Sequence, residues 1–180
     1  RHDPLTGLPN KDEIEALLER ELATRNLDDE VSVLLVDIDG FKEFNDALGP
    51  THGDQLLQLI AERIAASTRP SDTLGRLTGD EFVVIARGCT SIAARALAAG
   101  FSSVLEPAFE VDDRRLTVTA SVGVATSDDE TTEALQLVHD ATTAMHAAKS
   151  LGRNSHQVFS TDLRDSNRKR LEMVERLRGV

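Results

Sequence analysis

Asp37 and Asp39 stand where the apolar run Val31-Ser32-Val33-Leu34-Leu35-Val36 ends, and Asp80 and Glu81 sit in a turn, Thr78-Gly79-Asp80-Glu81, between two shorter strand-like runs. If those strands are neighbours, carboxylates from separate parts of the chain meet at one sheet edge and repel one another unless cations neutralise them. Oxygen-only donors suit Mg2+ or Mn2+, and two such ions on phosphate oxygens activate an attacking hydroxyl and stabilise a leaving group. The chemistry implied is metal-assisted phosphoryl transfer. The plainer alternative is that acids end strands because strands end at solvent, and spacing alone leaves both readings open. A calcium loop does not fit. An EF-hand opening at Asp37 needs glycine at its sixth position and glutamate at its twelfth, where this chain has Lys42 and Leu48. The chain also lacks a Walker-type phosphate loop, HExxH and GxSxG, which disfavours those enzyme classes.

The elements that must position these acids follow from periodicity. Asn10 precedes Ile14, Leu17, Leu18 and Leu22 at helical spacing, with Asp12 and Glu13 in the first turn, which predicts a helix over 11–25. The β-branched run 31–38 predicts a central buried strand. A short helix is expected over 41–48, broken by Gly49-Pro50, then a longer one through Leu56, Leu57, Ile60 and Ile64 to about Pro70. The runs 73–77 and 82–86 predict a hairpin with acids at its tip. Ile92, Leu97 and Val104 suggest a helix. Phe109-Glu110-Val111, Asp112-Asp113 and 116–125 suggest a second hairpin, followed by helix over 132–150, strand over 157–159 and helix over 162–178. Two hairpins among alternating strands and helices predict an α/β (α+β) fold with a mixed, antiparallel-containing central sheet wrapped by helices.

The 180 residues suggest one domain with some appended length. With 31 Asp and Glu against 20 Lys and Arg, the formal charge is −11, which disfavours a long phosphate backbone as partner, so no nucleic acid is expected. One cysteine, Cys89, excludes an internal disulfide framework and a multi-cysteine zinc site, and suits a reducing compartment. No run approaches the roughly 18 apolar residues of a membrane-spanning helix. A cytoplasmic location is expected, with a membrane-anchored parent protein compatible with it. The chain opens inside a motif and closes inside a charged amphipathic pattern, Leu163, Leu171, Val174 and Leu177 among Arg168, Lys169, Arg170 and Arg176. The expectation is a domain over 1–160 and a connector helix over 161–180, cut from a longer protein.

Five motifs occur in one order along the chain: Asp3-Pro4-Leu5-Thr6-Gly7-Leu8-Pro9-Asn10; Asp37-Ile38-Asp39-Gly40-Phe41-Lys42 with Asn45 and Asp46; Gly53-Asp54; Gly79-Asp80-Glu81-Phe82; and Ala148-Lys149 with Gly152-Arg153-Asn154. In order and spacing they resemble the GGDEF domain of diguanylate cyclases, from Asp3 to about Phe159. The resemblance implies a fold related to the palm of polymerases and nucleotidyl cyclases. It also implies condensation of two GTP into cyclic di-GMP with release of pyrophosphate, one GTP held by each domain of a homodimer. An attached sensory domain, or a downstream cyclic di-GMP phosphodiesterase (EAL) domain, would be in keeping with it. The alternative within the resemblance is a weak or inactive GTP-binding module that regulates such an EAL domain.

Carried across by position, the resemblance implies Asp37 and Asp80 as ligands of Mg2+ or Mn2+, the Ile38 carbonyl as a third, and Glu81 as a further ligand or the base toward the ribose 3′-hydroxyl. Gly40, Phe41 and Lys42 would meet the triphosphate with backbone N–H groups and an ammonium, as a helix N-terminus favours. Gly79 would lie against the nucleotide, and Lys149 and Arg153 would add charge at the terminal phosphates. Asn45 and Asp54 match the guanine-reading positions, and an aspartate accepts the paired N–H donors that adenine lacks. Arg69-Pro70-Ser71-Asp72 matches an RxxD inhibitory site at which Arg69 and Asp72 would dock product. Asp3 and Asn10 would organise the amino-terminal turn and cap a helix.

The chain departs from the family at Thr78, where the signature has its first glycine. A β-branched residue resists positive φ and adds bulk, so the expectation is weaker GTP binding or a displaced α-phosphate. His52, in the loop before Gly53-Asp54, His146, at a position often tyrosine, and Lys11, at one often arginine, are smaller departures that remove no implied ligand.

Overall fold

The computed structural model describes residues 1–26, 29–128 and 133–160. Helix α1 (Lys11–Thr24) starts where the Asn10 side chain accepts the Glu13 N–H at 3.1 Å, with Asp12 and Glu13 at the positive end of the helix dipole. Strand β1 (Val31–Ile38) is buried at every position. Helix α2 (Phe41–Leu48) follows Gly40, and α3 (Pro50–Ser67) opens with a proline, whose missing N–H costs nothing in a first turn. Between the two helices Gly49 adopts φ +89°, which favours glycine. Strands β2 (Thr73–Thr78) and β3 (Glu81–Arg87) form the first hairpin. Helix α4 (Ser91–Leu105) is capped by Thr90, whose hydroxyl oxygen accepts the Ala93 N–H. Then come β4 (Phe109–Val111), β5 (Arg114–Leu116), β6 (Ala120–Thr126), α5 (Ala134–Ser150) and β7 (His156–Val158).

The central sheet has the order β2-β3-β1-β6-β7, antiparallel throughout except for the parallel β6/β7 pair. This is the expected mixed, largely antiparallel α/β architecture. The second hairpin differs from expectation. Its return arm ends at Leu116, and β4 and β5 form a separate two-stranded sheet. Residues 117–119 then leave the strand, the Thr119 carbonyl accepts the Asp39 N–H at 2.9 Å, and β6 joins the central sheet beside β1. Continuous β-propensity over 116–125 hid that change of partner. The helix expected over 162–178, and with it the connector over 161–180, lies outside the described residues.

Alternation along β1 divides the interior in two. Leu34, Val36 and Ile38 face Leu56, Ile60 and Ile64 of α3 and Ala94 and Phe101 of α4. Val33 and Leu35 face Ile14 and Leu18 of α1 and Ala141 and Met145 of α5. Asp37 continues the second series, so the strand's own period aims it at the α1/α5 side. In β3, Val83 and Ile85 belong to that side as well, and Glu81 shares their parity. Gly123 of β6 lets α5 approach closely, because a Cβ there would run into the Ala141 carbonyl and the Met145 backbone. Among the described residues no helix is long and apolar enough to cross a membrane.

Candidate active site

The acids of the two strand ends do meet at one sheet edge. Asp37 is the register partner of Glu81 on β3 and of Ser121 on β6, and the Asp80 carbonyl accepts the Ile38 N–H at 3.1 Å. Asp37 is 4% exposed, and its Oδ1 has no properly directed hydrogen-bond partner. Lys149, in the last turn of α5, brings its Nζ to 2.9 Å from that oxygen as an ion pair. Burial pushes the Asp37 carboxyl up to about 6, Lys149 pulls against it, and the charges of Asp80 and Glu81 push further upward.

A buried carboxylate oxygen left without a directed donor, beside two further carboxylates, is a donor set that fits a hard divalent cation. Asp37, Asp80, Glu81 and the Ile38 carbonyl could supply it. The side chains are not gathered in advance: among the described residues no three His, Cys, Asp or Glu side chains converge as a metal cluster. Lys149 instead offsets the charge of Asp37, so the cation assigned by resemblance to terminal phosphates lies here against an acid.

The phosphate and base-reading positions gather around α2 and the start of α3. Gly40 precedes α2 at φ +70°, and its carbonyl accepts the Phe44 N–H. Lys42, in the first turn of α2, is exposed. Phe41 and Phe44 stack at 6.3 Å between ring centroids and close the apolar side of the helix. Asn45 is half-buried against Gly53, where a Cβ would collide with the Asn45 side chain and crowd the Phe41 ring. Asp54, the next residue along α3, is exposed. His52 fixes the start of α3 from outside, with Nδ1 2.9 Å from the Leu48 carbonyl and Nε2 2.7 Å from Asp112 at the β4/β5 turn. Arg153 is exposed in the turn after α5, at φ +62°.

Thr78 behaves otherwise than its type suggested. It ends β2 without positive φ and pairs with Glu81 across a bulge, so its β-branched side chain occupies ordinary strand backbone. Gly79 also lacks positive φ, and a Cβ there would meet nothing. The Thr78 hydroxyl donates to Glu81 Oε2 at 3.1 Å.

Arg69 and Asp72 are not part of this edge. They precede β2, whereas Thr78 ends it, and Arg69 also donates to the Arg87 carbonyl at the far end of β3. The guanidinium bonds both carboxylate oxygens of Asp72, at 2.8 Å from Nη2 and 3.1 and 3.2 Å from Nε. A ligand docking there must compete with that pair.

Two supports of the site have no signature in the spacing of the sequence. Asp39 accepts from the Thr119 and Ser121 hydroxyls, each at 2.7 Å, and from the Asn154 N–H at 2.9 Å. It thereby ties the end of β1 to β6 and to the turn carrying Arg153, and helps hold Asn154 at φ +42°. Arg76 donates from Nε to the Gly79 carbonyl at 2.9 Å and from Nη1 to both oxygens of Asp3. Asp3 also accepts the Thr6 N–H and hydroxyl, and these bonds outweigh burial and hold its carboxyl below the ordinary range. The amino-terminal turn therefore buttresses the turn that presents Asp80.

The family model described as "Diguanylate cyclase, GGDEF domain" matches residues 1–155. Over 179 residues, 99% of this chain, the sequence is 36% identical to the cyclic di-GMP phosphodiesterase NbdA of Pseudomonas aeruginosa, and over 160 residues, 87% of this chain, 36% identical to the diguanylate cyclase TpbB of that organism. The chain spans 23% and 37% of the lengths of these two relatives. The structure of an N-terminally truncated mutant of TpbB comprising only the GGDEF domain superposes with a TM-score of 0.88 at 33% identity, covering 93% of this chain and 99% of that one. With the fold, the acidic edge and these matches in agreement, the chain belongs to the GGDEF domain family.

Proposed function

We propose that this domain is a diguanylate cyclase, condensing two GTP into cyclic di-GMP with release of two pyrophosphates. The observation that supports this most is Asp37: a buried carboxylate balanced by Lys149 at 2.9 Å, in register with Glu81 and within reach of the charge of Asp80. In each half-reaction a ribose 3′-oxygen bonds to the α-phosphorus of the other nucleotide, the bond to the β-phosphate bridging oxygen breaks, and the hydroxyl proton leaves. Mg2+ or Mn2+, held by Asp37, Asp80, Glu81 and the Ile38 carbonyl, would supply charge that acidifies the hydroxyl and neutralises the departing pyrophosphate. Lys42, the start of α2 and Arg153 bind phosphate oxygens; Gly79 leaves open space for close approach; Asn45 and Asp54 read guanine. Glu81 serves as ligand or as acceptor of the hydroxyl proton. Each copy presents one such edge, so the reaction needs two domains face to face, and the chain works as a homodimer within a longer signalling protein.

Two observations favour a second reading, a GTP-binding module that regulates an attached phosphodiesterase domain. Lys149 is engaged with Asp37, and NbdA, a relative over nearly the whole chain, is a phosphodiesterase by name. Cyclic di-GMP would also dock at Arg69 and Asp72 as an inhibitor. Incubation with GTP and Mg2+ or Mn2+ distinguishes the readings. Cyclic di-GMP formation supports the cyclase; saturable GTP binding with unchanged nucleotide in both metals, the fold intact, supports the regulatory module.

A further inference from the structure

The signature turn carries one polar group with no part in the chemistry above, the Thr78 hydroxyl. It donates to Glu81 Oε2 at 3.1 Å, and Thr78 and Glu81 are register partners where a bulge shifts the β2/β3 pairing. Glu81 is in turn the register partner of Asp37. A glutamate at a half-exposed strand end has three side-chain torsions, the last of them broad, and unrestrained it samples many carboxylate positions. A carboxylate has about four acceptor sites, so one hydroxyl bond fixes an oxygen and leaves the others for further partners. Thr78 is suited to this because a β-branched residue in strand backbone has few χ1 choices, and this one lies outside positive φ.

We propose that Thr78 is a positioning residue whose hydroxyl holds the Glu81 carboxylate at the edge it shares with Asp37, pre-ordering the divalent-cation site. A glycine at this position lacks the hydroxyl and cannot do so. The inference rests on the reading that these carboxylates hold Mg2+ or Mn2+.

Direct Mn2+ titration of the full chain with a non-hydrolysable GTP analogue, read by the paramagnetic resonance signal of free Mn2+, tests it without turnover. Thr78→Val, which keeps the shape and loses the hydroxyl, weakens Mn2+ binding about three- to tenfold; Thr78→Ser restores it to within about twofold; Thr78→Gly follows valine. Equal or tighter binding in Thr78→Val, or failure of serine to restore, overturns the proposal. Thermal melting checks each fold, and if the valine variant unfolds, the glycine and serine variants decide alone. Asp37→Ala separates the two readings. If wild-type binding does not depend on Asp37, the cation site itself is wrong and this inference falls with it. If binding needs Asp37 but not the Thr78 hydroxyl, only this inference falls.

Discussion

At the residue scale, Asp37 carries opposed demands. Its carboxyl sits near 6 in the fold against about 3.8 unfolded, because burial and two neighbouring acids outweigh Lys149. Below about pH 3.8 both states hold the proton and the residue is neutral to stability. Between there and pH 6 the unfolded chain ionises first, so stability falls as pH rises, and above pH 6 the cost stays constant, on the order of 3 kcal/mol. Asp37→Asn should therefore melt higher than wild type at pH 7.5 in the absence of divalent cations, with the difference vanishing near pH 4. A melting series across that range checks it; a variant less stable at pH 7.5 contradicts it. The acids themselves were legible in the sequence because strand ends and hairpin tips are marked by hydrophobic period and turn residues. Asp39 was legible only as a strand-end acid, since its partners at Thr119, Ser121 and Asn154 are remote along the chain. The backbone at Thr78 is not legible from residue type: a β-branched residue resists positive φ, but torsion decides whether that matters, and Thr78 sits outside it.

At the scale of elements, glycines without special torsions set two of the contacts on which the site depends. Gly123→Ala forces a methyl group into the α5 backbone, and since that helix carries Lys149, we expect a loss of about 3 kcal/mol in denaturant unfolding. Gly53→Ala displaces the Asn45 side chain where α2 meets α3. It should reduce discrimination of GTP over ATP more than overall stability, measured by competitive nucleotide binding; unchanged discrimination contradicts the placing of Asn45. The Arg76 clamp makes a third case. Arg76→Ala frees the Gly79 carbonyl and leaves the half-buried Asp3 without its cation, so melting temperature and metal affinity should fall together. Element boundaries were largely legible, as the observed α2 at Phe41–Leu48 and β1 at Val31–Ile38 match the periodicity. The division at residues 117–119 was not, because local propensity does not say which neighbour a strand chooses.

At the scale of the whole molecule, the −11 charge and the phosphate chemistry are reconciled by location. A long polyanion would meet an acidic surface, whereas in the proposed reaction a triphosphate would meet one edge, with Lys42 and Arg153 beside acids able to take cations. Arg69 and Asp72 lie at the opposite end of β2, so a product bound there would act through the arrangement of domains instead of by filling the catalytic edge. Arg69→Ala should abolish cyclic di-GMP binding by calorimetry, and undiminished binding would exclude the RxxD site. The central claim is the condensation itself. GTP labelled at the α-phosphate, incubated with the protein at concentrations high enough for two copies to meet and with Mg2+ or Mn2+, should yield labelled cyclic di-GMP and two pyrophosphates per product, abolished in Asp80→Ala. Unchanged GTP with either metal, from protein that remains folded, would contradict the account.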